Sequence, residues 1–368
     1  MRTVPFFNYP HVFTSRAEQF VATLRDVGRR GAFIMQKDLA EFERDLAAYA
    51  GATYAVGVSN ATDGLQMAFQ AGGLRQGDEV IICTHTMVAT AASVHYAGGV
   101  PVPVEAGSDH LIDVASIRAA ITPRTRAICP TQLNGRTCDM DAILALAKEA
   151  KLDVYEDAAQ GLGSRFKGRC AGTFGRAACI SFYPAKVLGC LGDGGAVLTN
   201  DESIYRKLLL LRDHGRDESG DVVLWGMNAR LDNVEAAYLE FQLKTYPAVV
   251  ERRRAIALIY QERLGTCASV CLPPAPDSDP DHFDIYQNYE IEADERDALR
   301  EHLKARGVGT LIQWGGRAVH HFRKLGFTQS LPRTDRLFTR LLMLPMNMSL
   351  EDDDVRYVAE RILEFYRA

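Results

Sequence analysis

The chain has no stretch of roughly 20 consecutive apolar residues, the length that a membrane helix requires. Its densest apolar run, Leu208–Leu211, is short. The N-terminal segment also lacks the uninterrupted apolar core of a signal peptide, because Pro5, Pro10 and Arg16 break it up. These absences predict a cytoplasmic protein that neither binds nor crosses a membrane.

An excess of positive charge is missing as well. Lysine and arginine together number 42 and aspartate and glutamate 47, which gives a formal net charge of −5. The sequence has no basic cluster with interleaved aromatic residues and no spacing typical of a DNA-reading module. We therefore expect neither nucleic acid nor an acidic membrane surface as a partner.

Cysteine is not arranged as in a disulfide-rich or zinc-binding protein. The eight cysteines are scattered along the chain, which indicates reduced thiols in a protein without an export signal. Cys267 and Cys271 lie four positions apart, but no second pair of cysteines or histidines completes a zinc pattern. The sequence therefore predicts no metal site.

Short apolar runs and helical periodicities alternate up to about Asn200. Runs such as Tyr54–Asn60 and Asp78–Cys83 predict strands, and the pattern in Met140–Ala150 predicts a helix. This alternation is typical of an α/β fold in which helices cover both faces of a mainly parallel sheet. From about Asp201 helical patterns dominate, and a Pro/Asp-rich segment then precedes a mixed strand and helix pattern.

The predicted organisation has three parts. Residues 1–30 form an N-terminal arm, residues 31–245 a large α/β domain with the mainly parallel central sheet, and residues 246–368 a smaller C-terminal α+β domain. Ligands of open α/β sheets bind beyond the carboxyl ends of the strands. Polar residues that follow strand ends are therefore the candidates for a functional site.

Two polar clusters follow predicted strands in the first half of the chain. The first, Ser59–Gly64, follows the strand that starts at Tyr54. The N–H groups at the start of the next helix would suit a phosphate group, although an ordinary helix cap explains the same residues. The second cluster, Glu156–Gly161, contains Asp157 and Gln160. Adjacent carboxylates at a strand end are also frequent as simple turn formers.

A third cluster, Ser181–Gly195, contains one lysine, Lys186, between an aromatic-proline turn and a glycine-rich loop. Its neighbours in sequence are apolar or small, although a lone lysine is more often a solvated surface residue. Burial lowers the pKa of a lysine and makes its amine available as a nucleophile and proton carrier. A phosphate cradle, a carboxylate and a buried amine form the set of groups that pyridoxal phosphate requires.

Longer strings of the sequence contain these three clusters. They include "FERDLAAYAGATYAVGVSNATDGL", "VYEDAAQGLGSRFKG", "SFYPAKVLGCLGDGGAVLTND", "GMNARLDNVEAAYL" and the late "LPMN". In this order, over nearly the whole chain, they resemble the sugar aminotransferases of the DegT/DnrJ/EryC1/StrS family. The resemblance implies the fold of the fold-type I pyridoxal-phosphate transferases and pyridoxal 5′-phosphate as the cofactor.

The resemblance also implies roles for individual residues. Lys186 would bind the cofactor through a Schiff base and carry the proton between substrate and cofactor. Asp157 would pair with the pyridine nitrogen, and Gln160 would lie close to the ring and its hydroxyl group.

The cofactor's phosphate would be held by Ala61, Thr62 and Ser181. Asn228, within "GMNAR", would reach the phosphate from the partner subunit of a homodimer with shared active sites. Arg230 would brace that loop and is also a candidate for substrate contact.

The sequence departs from the family pattern at three places. Ala61 stands where the family usually has glycine, so the backbone must approach the phosphate past a methyl group. Met87 stands where an aromatic residue usually stacks on the pyridine ring, and either Met87 or the nearby His85 is expected to cover it. The string "LIQWGGRAVHHF" replaces a tyrosine-proline string, which makes Trp314 and His320 candidates for substrate contact; Trp314 is equally well explained as a core residue.

The implied function is a ping-pong transfer of an amino group from glutamate to a keto-sugar, most simply a nucleotide-linked one. The product would be an amino sugar for a surface polysaccharide or a secondary metabolite. A nucleotide diphosphate needs basic partners, for which arginine contacts are expected. Two alternatives are a sugar dehydratase of the same family, in which histidine replaces the lysine, and a non-catalytic regulatory protein on the same fold.

Overall fold

The computed structural model describes residues 2–367 of the chain. Its strands are β1 (Tyr54–Val58), β2 (Glu79–Cys83), β3 (Val100–Val104), β4 (Thr125–Cys129), β5 (Asp153–Asp157), β6 (Arg165–Phe166), β7 (Arg169–Cys170), β8 (Ala177–Ser181), β9 (Gly195–Thr199), β10 (Val270–Cys271), β11 (His282–Phe283), β12 (Tyr289–Ala293) and β13 (Leu341–Leu344). Its α-helices are α1 (Tyr9–Thr14), α2 (Ala17–Arg30), α3 (Lys37–Ala50), α4 (Ala61–Ala71), α5 (Val88–Tyr96), α6 (Val114–Ala120), α7 (Met140–Ala150), α8 (Glu202–Arg212), α9 (Asn233–Leu243), α10 (Tyr246–Leu264), α11 (Arg296–Ala305), α12 (Pro332–Phe338) and α13 (Asp352–Arg367).

Seven strands form the central sheet, in the order β1-β9-β8-β5-β4-β2-β3. Strand β9 is antiparallel to both of its neighbours, and every other neighbouring pair is parallel. Six of the seven strands therefore run in one direction. This confirms the predicted α/β fold of fold-type I transferases with a mainly parallel central sheet.

Helices cover both faces of this sheet, because successive residues of a strand point to opposite sides. In β2, Val80 and Ile82 join a core cluster with α4, α5 and α8. Ile81 and Cys83 join a cluster on the other face with α6 and α7. Helices α3 and α9 extend that second layer over β1, β8 and β9. Buried on both sides, the strands read as the continuous apolar runs seen in the sequence.

The C-terminal part of the chain packs around a second sheet, which is antiparallel and has the order β10-β12-β13. Its core includes Ile256 of α10, Ile291 of β12 and Val358 of α13. Helix α10 starts at Tyr246, where the small domain is predicted to begin. The bounds of the three predicted parts stay predictions, and residues 1 and 368 lie outside the described residues.

The N-terminal segment is attached to this C-terminal part. Val4 forms a parallel bridge with Val308. The side-chain amide of Asn347 donates hydrogen bonds to the carbonyl oxygens of Pro5, at 3.0 Å, and Phe6, at 3.1 Å. The sequence did not predict this attachment, nor helices α1 and α2 within the arm. The late "LPMN" string, which contains Asn347, therefore fixes the first residues of the chain.

Six strands of the central sheet end at the same edge, and four of them, β1, β2, β5 and β8, lead into the loops considered below. Their last residues are Val58, Cys83, Asp157 and Ser181. Helices α4 and α5 begin directly beyond two of these ends. Among the described residues, no helix combines the length and the apolar character that crossing a bilayer demands.

Candidate active site

A cavity of about 750 Å³ opens at this edge of the sheet. Eight of the residues singled out by the sequence line it: Ala61, Thr62, Met87, Asp157, Gln160, Ser181, Lys186 and Trp314. These residues come from the ends of two strands, the starts of two helices and three loops. Asn228, Arg230 and His320 do not line it.

The start of helix α4 forms one end of the cavity. The side chain of Asn60 caps the helix by accepting a hydrogen bond from the N–H of Asp63. The first N–H groups of a helix have no partner within the helix, and those of Ala61 and Thr62 belong to residues that border the cavity. Ser181 also borders it from the end of β8. A helix N-terminus with a hydroxyl group beside it is suited to a phosphate.

Gly195 allows strand β9 to approach the start of α4 closely. A Cβ at this position would lie 2.7 Å from the carbonyl carbon of Asn60 and 2.8 Å from the nitrogen of Ala61. The methyl group of Ala61 packs against the core cluster on this face of the sheet. The alanine that departs from the family pattern is therefore accommodated by apolar packing.

The Asp157 carboxylate is held in place by two donors. Oδ2 accepts a hydrogen bond of 2.5 Å from the Thr90 hydroxyl, and Oδ1 accepts one of 3.2 Å from the N–H of Ala159. Behind Thr90, the hydroxyls of Thr86 and Thr131 continue a buried chain with oxygen–oxygen distances of 2.8 and 2.9 Å. Thr131 donates to Thr86 and Thr90 donates to Asp157. The chain of hydroxyl groups therefore ends at the Asp157 carboxylate and fixes its orientation.

The neighbouring carboxylate, Glu156, points to the opposite face of the sheet and is structural. It accepts hydrogen bonds from the N–H groups of Gly172, Phe174 and Gly175 and from the side chain of Gln132, at 2.7–2.8 Å. Burial raises the pKa of Glu156, against these donors. Of the two adjacent acids, only Asp157 is therefore available to a ligand in the cavity.

Lys186 lies on the loop that joins β8 to β9 and borders the cavity. The backbone N–H of Lys186 donates a hydrogen bond to the carbonyl oxygen of Tyr183 and closes a tight turn. The backbone N–H of Val187 donates a hydrogen bond of 3.0 Å to Oε1 of Gln287. Burial lowers the pKa of Lys186 to about 8, although the Asp157 charge opposes this shift. A substantial fraction of the amine is therefore neutral near that pH and able to act as a nucleophile.

Two hydrogen bonds from neighbouring asparagine residues orient the side chain of Gln160. Its carbonyl oxygen Oε1 accepts hydrogen bonds from the N–H of Asn134 at 2.8 Å and from the side chain of Asn288 at 3.4 Å. These bonds occupy the carbonyl end of the side chain. The amide N–H groups therefore remain for a ligand.

The two candidates for covering the cofactor ring have different positions. Met87 caps helix α5 and borders the cavity, with 52% of its surface exposed. His85 is fully buried outside the cavity lining, and its Nε2 lies 3.0 Å from Oε1 of Glu290. The arrangement favours Met87 for this contact, which stays a prediction.

His320, a candidate for substrate contact, is placed as a structural residue. Its Nδ1 lies 2.7 Å from the Thr84 hydroxyl and its Nε2 lies 2.8 Å from Oδ1 of Asp335. The ring is fully buried between these groups, which leaves it no access to the cavity. Burial lowers its pKa, against the Asp335 charge. Trp314, the other candidate from that string, borders the cavity and also packs against the core cluster that contains Ile81 and Cys83.

Asn228 and Arg230 lie away from their own chain's cavity. Asn228 is exposed, and its Oδ1 accepts a hydrogen bond of 2.6 Å from Arg230. Arg230 also contacts Asp213, the residue that follows α8, at 2.9 Å. A residue that contacts the active site of a neighbouring subunit must lie outside the active site of its own chain. The position of Asn228 agrees with such a contact, which stays a prediction.

Several cavity residues were not identified from the sequence. Phe6 and Phe7 come from the N-terminal segment, whereas Thr90, Asn288 and Gln313 come from three other segments. The contacts of Asn347 bring Phe6 to the cavity, so the "LPMN" string was the available signal. No comparable signal marks the others, because only the tertiary fold brings them together.

Two clusters of histidine and carboxylate groups have the spacing of metal ligands: His85, His110 and Glu290, and His320, His321 and Asp335. Hydrogen bonds account for the geometry of His321. Its Nδ1 accepts from the N–H of Ala318 at 3.2 Å, so its Nε2 carries the proton that faces Asp335. The expectation that the protein has no metal site stays a prediction.

A buried amine, an oriented carboxylate and a helix N-terminus thus surround one cavity on an open α/β sheet. This combination defines a pyridoxal-phosphate enzyme of fold type I. The sequence matches the DegT/DnrJ/EryC1/StrS aminotransferase family over residues 14–363. The chain belongs to this family, whose members use pyridoxal 5′-phosphate.

Similar proteins cover the whole chain. The dTDP-3-amino-3,4,6-trideoxy-alpha-D-glucose transaminase of Streptomyces venezuelae is 37% identical over 98% of this chain and 97% of its own length. A protein named pleiotropic regulatory protein, from Geobacillus stearothermophilus, is 35% identical over 99% of both chains. The crystal structure of S. venezuelae DesV in complex with a ketimine intermediate matches with a TM-score of 0.95, at 36% identity and complete coverage of both chains. These findings confirm the family resemblance read from the sequence.

We expect Gly195→Ala to weaken cofactor retention and to lower the free energy of unfolding by roughly 1–3 kcal/mol, because the added methyl forces the backbone of Asn60 and Ala61 to move. Gly192→Ala, three positions earlier in the loop that leads into β9, is the matched control, since the nearest atom to its added Cβ would lie 3.8 Å away. Cofactor titration and urea unfolding measure both effects. Equal behaviour of the two variants would contradict the close-approach explanation.

The pKa of Lys186 predicts a pH-dependent effect in the cofactor-free protein. The amine has a pKa of about 8 when folded against 10.5 for an ordinary lysine, so the unfolded chain binds the proton more tightly. Stability from this group therefore rises with pH between these two values. Lys186→Met should show its largest gain in unfolding free energy over the wild type below about pH 8, with a smaller gain near pH 10. A difference that does not change with pH, in urea unfolding at both pH values, would refute the assignment.

Proposed function

We propose that the protein transfers the amino group of glutamate to a nucleotide-linked keto-sugar and so forms an amino sugar. The observation that carries this proposal is the placement of Lys186 and Asp157 in one cavity with the start of helix α4. The family assignment and the similarity to a sugar transaminase support the choice of substrate class. Glutamate is proposed from the family resemblance alone.

The chain's own groups have distinct tasks in this reaction. When bound, pyridoxal phosphate supplies an electron sink for the substrate carbon that loses its proton. The Nζ atom of Lys186 takes that proton and returns it, which its lowered pKa favours. The Asp157 carboxylate, held by Thr90 and Ala159, keeps a proton on the ring nitrogen. Ser181 and the first N–H groups of α4 bind the phosphate.

The cavity also limits where a nucleotide diphosphate can bind. Among the described residues that line it, Lys186 is the only cationic one, beside Asp63, Asp157 and Asp193. The arginine contacts expected for a diphosphate are therefore not part of this cavity wall. We propose that a second copy of the chain supplies the missing positive charge.

A homodimer with shared active sites would meet this need. The segment that precedes Asn228 exposes large apolar side chains, with Trp225 at 98%, Val222 at 64% and Val223 at 55% exposure. Exposed apolar groups this close together indicate a surface that associates with another protein. We propose that this surface packs on a second copy and places Asn228 at the neighbouring phosphate site.

The alternatives predict different behaviour. A dehydratase would have histidine at position 186, so the presence of Lys186 argues against dehydratase activity. A regulatory role is favoured by one relative's name, pleiotropic regulatory protein. The cavity nevertheless keeps the amine, the carboxylate and the phosphate cradle together. A cytoplasmic location and a place in polysaccharide synthesis stay predictions.

The central test uses the visible absorbance of the bound cofactor. We expect the purified protein with pyridoxal phosphate to be yellow and to bleach when glutamate is added. Turnover should then require a nucleotide-linked keto-sugar from a panel of such compounds, and the free keto-sugars should react poorly. Lys186→Ala should slow the reaction by at least about 10²–10⁴, the effect of losing a positioned acid–base group. A protein that binds the cofactor but never responds to an amino donor would support the regulatory alternative.

Complementation tests the shared site. Asn228→Ala should weaken cofactor retention, whereas Ser219→Ala, an exposed position in the same segment, should not. Mixed dimers of Asn228→Ala and Lys186→Ala chains should regain activity, because one of their two sites then combines an intact Lys186 with an intact Asn228. If Asn228 acted within its own chain, no site in the mixed dimer would be intact and activity would not return.

A further inference from the structure

Trp314 is attached to a buried polar network behind the cavity wall. It lies in the left-handed backbone region, with φ at 54°, and two glycines follow it. Its indole Nε1–H donates a hydrogen bond of 3.2 Å to Nδ1 of His85. Since His85 is not part of the cavity lining, the N–H edge of the indole is directed away from the cavity that Trp314 borders.

This hydrogen bond fixes the protonation pattern of His85. An indole N–H can only donate, so Nδ1 of His85 carries a lone pair and Nε2 carries the proton. Nε2 therefore donates to Oε1 of Glu290, at 3.0 Å. No lone pair of His85 then faces the Glu290 carboxylate.

Glu290 is the charged centre of the network. Its Oε1 accepts hydrogen bonds of 3.0 Å from His85, from Nδ1 of His110 and from the side chain of Asn134. Burial alone would raise the pKa of Glu290, but the hydrogen bonds from His85 and His110 and the charge of His110 lower it. Burial likewise opposes the charged form of His110, yet Glu290 and Glu292 raise the pKa of this histidine to about 9. The network thus contains a buried carboxylate and a histidinium ion at neutral pH.

The second branch from Glu290 leads to the cofactor side of the cavity. Asn134 donates its backbone N–H to Oε1 of Gln160 at 2.8 Å. Its own Oδ1 accepts from Asn288 at 2.8 Å and from Gln313 at 3.2 Å. One carboxylate therefore connects to Trp314 through His85 and to Gln160 through Asn134.

Burying such a charge opposes stability unless every partner is in place, and apolar replacements of similar volume are often as stable. A hydrogen-bond network whose only role is to stabilise the core would not have to include residues that line a cavity. Both branches from Glu290 end at side chains that border the same cavity. The geometry therefore favours a role in holding those side chains.

We propose that Trp314 is the platform on which the sugar ring of the substrate packs, and that Glu290 is the positioning residue that holds this platform through His85. The proposal rests on the proposed keto-sugar substrate and names the part of the chain that recognises its sugar. Indole offers an apolar, electron-rich face to the C–H groups of a pyranose ring. The nucleotide portion would not contact Trp314.

The chain has two tryptophans, which permits a direct readout. In a Trp225→Phe background, all tryptophan emission comes from Trp314. We expect UDP-glucose, dTDP-glucose or GDP-mannose to change this emission in the cofactor-loaded protein, and the matched UDP, dTDP or GDP to have little effect. If the diphosphates alone give the full change, or if no sugar binds near Trp314 in a protein that reacts with glutamate, the platform is refuted.

Glu290→Gln in the same background tests the positioning role. We expect an altered Trp314 emission without any sugar and a dissociation constant for the responding nucleotide sugar, measured by calorimetry, that rises about tenfold or more. The rate at which glutamate bleaches the cofactor should stay close to that of the background, because Gln160 is held by the backbone N–H of Asn134 and not by the side chain that contacts Glu290. Glu292→Gln is the matched control, because Glu292 contacts the far nitrogen of His110 at 3.3 Å and neither His85 nor Trp314.

The outcomes separate this proposal from the function on which it rests. If the wild-type protein does not react with glutamate, the proposed function fails, whatever Glu290→Gln does. Because Trp225 belongs to the proposed dimer surface, the Trp225→Phe background must first react with glutamate as the wild type does. If it reacts and Glu290→Gln slows the glutamate step as much as it weakens sugar binding, or leaves sugar binding unchanged, the positioning role fails. Should Glu290→Gln not fold, His85→Phe removes the acceptor of the Trp314 hydrogen bond. This variant must then weaken nucleotide-sugar binding and leave the rate of the glutamate step close to that of the background.

Discussion

The opposition between burial and charge at Lys186 is the constraint on which the site depends. Burial disfavours the ammonium form, whereas the Asp157 carboxylate in the same cavity favours it. A closer carboxylate would leave less free amine and a more distant one would leave more, so the position of Asp157 sets the neutral fraction of Lys186. Strand β5 sets the position of Asp157 along the sheet, and Thr90 and Ala159 set its orientation. The sheet therefore serves to keep one acid and one base at a fixed separation.

The sequence carried the information for the sheet and for the placement of Asp157 and Lys186 at one cavity. Apolar runs alternating with helical patterns predicted the parallel strands, and the edge at which their ends meet predicted that Asp157 and Lys186 would share a cavity. The residues that hold Asp157 in its orientation could not be predicted from the sequence. Thr86, Thr90 and Thr131 form one hydroxyl chain only because strand ends far apart in sequence become neighbours.

The histidines illustrate the same limit. His85 was expected near the cofactor because it lies two positions from Met87, but it points behind the wall. His320 followed Trp314 in an unusual string, yet it packs between Thr84 and Asp335. In both cases the partners of the two ring nitrogens decide the role, and those partners are distant in sequence. Residue type and local spacing alone cannot separate an imidazole that meets a ligand from one that supports a wall.

The attachment of the N-terminal segment has a practical consequence for handling the protein. Phe6 and Phe7 precede the first helix, yet they form part of the catalytic cavity because Asn347 and the Val4 bridge hold the segment in place. Deleting these residues, which on many enzymes is a neutral choice for purification, would here remove part of the cavity wall. Affinity tags belong at the other end of the chain, where helix α13 carries no residue of the cavity.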